Sequence, residues 1–112
     1  MNLVKRALEK LRKLVKYYLK CSWTINYTSD EFDAIVKALR KALHRIPVQL
    51  NIDIQHIGGV SYQVIFIDLN LKAIVTVSQI PERLTMHPVM RESQGSKYVV
   101  TFINCRELRT SF

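Results

Sequence analysis

The sequence predicts an α+β fold, a single domain in which two helices pack on one face of a mostly antiparallel sheet of four or five strands. Three observations carry this. The first twenty residues sort into an apolar and a basic face at helical spacing. A capping signal near Thr28 announces a second helix. From Val48 onward the hydrophobic period falls from about 3.6 residues to about 2. The chain has 112 residues, which fit one domain spanning 1–112. Three glycines and three prolines leave little for a long disordered linker.

Residues 3–20 form the first helix. Leu3, Val4, Ala7, Leu8, Leu11, Leu14, Val15, Tyr18 and Leu19 fall on one continuous face. Lys5, Arg6, Lys10, Arg12, Lys13, Lys16 and Lys20 lie on the other, with Glu9 and Tyr17. Such a helix is about 27 Å long. Residues 21–27 alternate Trp23, Ile25 and Tyr27 with polar residues, a short strand. Thr28 and Glu31 then have the spacing of a capping box. Acidic residues in the first turn and Lys41, His44 and Arg45 in the last suit the dipole of a second helix. Phe32, Ile35, Val36, Leu39, Leu43 and Ile46 are its expected buried stripe, and Pro47 ends it.

Val48, Leu50, Ile52 and Ile54 alternate with polar residues in the next strand, and Gly58-Gly59 mark a turn. Tyr62 to Leu69 and Ala73 to Ile80 are two more strands, joined through Asn70-Leu71. A three-residue loop at 58–60 sets Ile54 opposite Val64 and Ile52 opposite Phe66, which keeps one face apolar. A slip of one residue would mix the faces. Residues 81–96 read as a loop. Lys97 to Cys105 form a last strand with Tyr98, Val100 and Phe102 on one face, and 106–112 read as a frayed tail. The strand holding Val64 and Phe66 also carries Ile65 and Ile67 on its other face. It therefore calls for cover on both sides, from the first helix or from a second protomer.

Charge is the main functional signal. The net charge is +8. Residues 1–20 hold seven cations against Glu9 alone, a net +6, so the other residues contribute only +2. A helix face that is basic throughout suits a phosphate backbone, whose counterions it releases. The expectation is a non-catalytic nucleic-acid-binding domain contacting DNA or RNA phosphates through Lys5, Arg6, Lys10, Arg12, Lys13, Lys16 and Lys20. Sequence specificity should be low unless Gln49, Asn51, Gln55 and Gln63 read bases. The alternative is a protein-interaction module, an adaptor or inhibitor whose cationic face meets an acidic partner. The first helix has more apolar surface than a small sheet needs, which favours a homodimer.

Other chemistries find little support. No apolar run of about 18 residues exists to span a bilayer, and no signal-peptide pattern opens the chain. Cys21 and Cys105 read as free thiols in a cytoplasmic protein. His44, His56 and His87 lack the spacing of a metal site, and each reads as structural. Asp53 and Asp68 lie on adjacent strands but point to opposite faces. No nucleophile elbow or glycine-rich phosphate loop is present, and no motif asks for a cofactor.

Two helices followed by the hairpin Ser61-Tyr62-Gln63-Val64-Ile65-Phe66-Ile67-Asp68 and Ile74-Val75-Thr76-Val77 resemble the order in bacterial toxin ribonucleases of the RelE type. The likeness covers roughly half of the chain and is mostly hydrophobic alternation. It implies a shared topology. Those enzymes place basic residues on the sheet surface, where this chain has Gln49, Asn51 and Asp53, and their N-terminal strand has no counterpart here. The resemblance therefore carries no catalytic residue over.

Overall fold

The computed structural model describes residues 2–80 and 96–108. In chain order the elements are α1 (Asn2–Tyr18), β1 (Ser22–Thr28), α2 (Glu31–Ala42), β2 (Ile52–Gly58), β3 (Ser61–Phe66), a 3-10 turn (Ile67–Leu69), β4 (Leu71–Gln79) and β5 (Ser96–Glu107). The five strands form one antiparallel sheet in the order β1-β5-β4-β3-β2, as the α+β expectation requires. The last strand is thus inserted beside the first.

One face of the sheet is the core. Ile25, Val64, Phe66, Val75, Val77 and Val100 are fully buried there. The pairs Val77↔Val100, Val75↔Phe102, Val64↔Ala73 and Phe66↔Leu71 join them into one layer. α2 covers this layer with Ala34, Ile35, Ala38, Leu39 and Ala42. The alanines at i, i+4 and i+8 let the helix approach the sheet closely. α1 ends at Tyr18, short of the expected residue 20, and the same face is covered by Val15 and by Leu19 just past the helix end, close to Phe102 and Cys105. Burying each large apolar side chain stabilises the fold by about 1.5–3 kcal/mol.

The register expected for the β2–β3 hairpin is the one observed, with Ile52 opposite Phe66 and Ile54 opposite Val64. Gly58 and Gly59 both take positive φ, and a bulge between His56 and Gly58 tightens the turn to Gly59-Val60. β2 itself starts at Ile52, not Val48. Its partner runs out there, because the chain after Phe66 coils into the 3-10 turn. Asp68 in that turn accepts from Asn51 N and Nδ2 at 3.4 and 3.0 Å, which ends the pairing. Asn70 then takes the left-handed conformation that asparagine tolerates.

Several expectations need correction. The α2 cap is Asp30, not Thr28. Asp30 accepts from Asp33 N at 2.8 Å, and Asp33 accepts from Ser29 N at 3.1 Å. Thr28 is buried instead, donating to Ser96 O at 3.2 Å. α2 ends at Ala42, before His44 and Arg45. Its expected stripe splits: Ile35 and Leu39 are buried against the sheet, whereas Phe32 is 52% exposed. β5 runs on to Glu107, so Arg106 and Glu107 are not frayed, and Leu108 N donates to Asn70 O at 2.9 Å. A bulge at Ile103 turns Cys105 onto the core face. Of the expected 81–96 loop, Ser96 opens β5 and the rest lies outside the described residues, as do 109–112.

The first helix does not supply the expected second cover. Both helices sit on one side of the sheet. Ile65 is half-buried on the open face, and Ile67 leaves the strand and is exposed.

Candidate nucleic-acid interface

α1 is anchored at one end only. Val15 and Leu19 are buried, and Leu8, Leu11 and Tyr18 pack partly against the core. Leu3 and Val4 are 79% and 65% exposed, and Lys5, Arg6 and Ala7 are exposed with them. The first two turns of the helix therefore run clear of the sheet, and the molecule is elongated, 58 × 30 × 19 Å. A continuous apolar stripe showed which face turns inward. It did not show how much of that face finds a neighbour.

The seven cations divide in the same way. Lys5, Arg6, Lys10, Lys13 and Lys20 are exposed. Arg12 and Lys16 are half-buried. Arg12 Nε donates to Leu69 O at 2.7 Å, fastening α1 to the 3-10 turn. Lys16 lies with Lys20 along a cleft of about 390 Å³ that also reaches Phe102, Asn104 and Cys105. Burial pushes the Cys105 thiol pKa up, and Lys16 draws it part of the way back. No carboxylate among the described residues lies within 4.0 Å of any α1 cation, and Glu9 is the one anion of the helix.

A second group of cations escaped the sequence reading. Lys37, Arg40 and Lys41 of α2 line a cleft of about 390 Å³ against Asn26 and Tyr27 of β1. Their spacing places all three on one side of the helix, but only the position of β1 makes a cleft of them. Lys37 is engaged, bonding Asp33 at 3.0 Å and donating to Tyr27 O at 2.7 Å. Its ammonium and the Ser29 N–H hold the Asp33 carboxyl below the usual carboxylate range. On its other flank α2 borders an apolar groove of about 520 Å³ with Phe32, Val36, Leu43, Ile52 and Ile54 among its walls.

The remaining candidates have structural partners. The His44 Nδ1–H donates to Lys41 O at 2.9 Å just beyond the end of α2. His56 meets Gly59 O at 2.8 Å across the hairpin turn and packs on Tyr62. His87 lies outside the described residues. Asp53 accepts from Gln55 Nε2 at 2.9 Å, and Asp68 is occupied with Asn51. No group of three or more potential metal ligands occurs among the described residues. Cys21 and Cys105 are free thiols. No described helix is long and apolar enough to cross a membrane. No protein family matches the chain, nor does any curated protein or solved structure.

Proposed function

We propose that this protein binds nucleic acid without catalysing a reaction, and that the basic face of α1 meets the phosphates. The observation that supports this is the free half of α1. It carries Lys5, Arg6, Lys10 and Lys13 into solvent with Glu9 as the single anion of the helix. The open face of the sheet, with Gln55, Gln63, Ile65, Ile74, Thr76 and Thr101, has no aromatic side chain among its described residues. Contacts to phosphate carry no sequence information, so low sequence specificity goes with this reading. Reduced thiols fit a cytoplasmic setting.

Titration of a fluorescent DNA duplex at several salt concentrations tests this. Three to five phosphate contacts give a slope of roughly −3 to −5 in log affinity against log salt. Lys16 is half-buried, so Lys10 and Lys13 are the better positions to change. Lys10→Glu with Lys13→Glu should weaken binding to all sequences alike and reduce the slope by about 2. A double variant that binds as the parent does would rule out the helix as the interface.

A second reading has its own observation. Leu3 and Val4 are exposed beside the cations, and a phosphate backbone makes no use of them. An acidic protein partner with an apolar patch would use both, and two copies pairing through these turns would form the homodimer. Sedimentation equilibrium tests the dimer: a Leu3→Glu, Val4→Glu variant stays monomeric where the parent dimerises, and a parent that is monomeric at tens of micromolar rules it out.

A further inference from the structure

Tyr27 is out of place by its backbone. Its φ is +59°, the left-handed region that suits glycine or asparagine and disfavours a bulky side chain. The strand pattern called for it to join Trp23 and Ile25 on the core face. Instead, the register shifts between Ile25 and Thr28, Thr28 takes the buried position, and Tyr27 is left 62% exposed. Such a conformation persists only where its surroundings over-determine it. Here they do: Lys37 Nζ holds the Tyr27 carbonyl, Asp33 holds Lys37, and Thr28 Oγ1 is tied to Ser96 O. The same bulge that buries Thr28 leaves Tyr27 in solvent.

Tyr27 lines a cleft together with Lys37, Arg40 and Lys41. Arg40 and Lys41 are exposed, and no carboxylate among the described residues lies within 4.0 Å of either. A flat exposed ring beside cations matches an unstacked base joined to phosphates. In a duplex the base faces are stacked on each other and closed to such a ring. We propose that Tyr27, Arg40 and Lys41 form a site for single-stranded nucleic acid, with a base stacked on the Tyr27 ring and its phosphates on the two cations. This rests on the nucleic-acid reading and adds a preference for strand type, at a place separate from α1.

The test uses the whole chain with fluorescein-labelled oligothymidylate, oligouridylate and a blunt DNA duplex. Tyr27→Asn removes the ring and suits the left-handed backbone. It should weaken binding to both single strands about tenfold, the loss expected for one stacked base, and leave the duplex unchanged. Its melting temperature should equal or exceed the parent's, which separates lost binding from lost folding. Tyr27→Phe should bind as the parent does. Arg40→Gln with Lys41→Gln should flatten the salt dependence on single strands. Single-strand binding unchanged in Tyr27→Asn, or an equal loss on the duplex, overturns the proposal. So does competition by polyglutamate as strong as by unlabelled oligothymidylate. A parent that binds the duplex but no single strand overturns this site and spares the α1 reading. A parent that binds neither removes both.

Discussion

Tyr62 and Glu31 join the first turn of α2 to β3. The phenol donates to the Glu31 carboxylate, and that bond, with burial as the smaller cause, pushes the Tyr62 pKa up to about 12. The carboxylate binds the protonated phenol, so the interaction is intact below the ordinary tyrosine value of about 10. It is lost as pH rises through about 12, and stability should fall across that window. Following phenolate absorbance in a pH titration should show one tyrosine ionising near 12. In Glu31→Gln that step should move back towards about 10. An unchanged titration in the variant would mean that Glu31 is not the cause.

At the scale of elements, the hairpin shows what a sequence can specify. Alternation over Ile52, Ile54, Val64 and Phe66 leaves one register that keeps all four on one face, because a slip turns each to the other side. Phe66 is fully buried between Ile52 and Leu71. Phe66→Ala should cost about 3–5 kcal/mol in urea unfolding, and a loss below about 1 kcal/mol would contradict its central place. Other features had no local signal. Insertion of β5 between β1 and β4 depends on residues far apart in the chain. The bulges at Tyr27 and Ile103 each break an alternation that reads as unbroken. α2 carries a wider apolar stripe than its contact with the sheet, and the sequence could not say that Phe32 faces a groove. The cations of α1 were legible because exposed charge needs no partner. That Arg12 is taken by Leu69 O, 57 residues away, was not.

For the whole molecule, the proposed binding role of α1 and its part in stability fall on different stretches of the helix. Its last turns, with Leu19 just beyond them, hold Val15 and Arg12 against the core and the 3-10 turn. Its first turns contribute no buried side chain among residues 3–7. They supply Lys5 and Arg6, together with the exposed Leu3 and Val4. Removing residues 2–7 should therefore leave the sheet and α2 intact. Losses at exposed positions are usually within about 0.5 kcal/mol, which for a domain of this size moves the melting temperature by less than about 4 °C. The salt slope on duplex DNA should fall by about 2, one for each cation removed. Single-strand binding at Tyr27 should persist, because β1 and α2 are untouched. Melting and salt-dependent binding measured on the same truncated chain decide the matter. A slope equal to the parent's would move the phosphate contacts away from the free end of α1. A large drop in melting temperature with the slope preserved would show that these turns serve the fold and not the ligand.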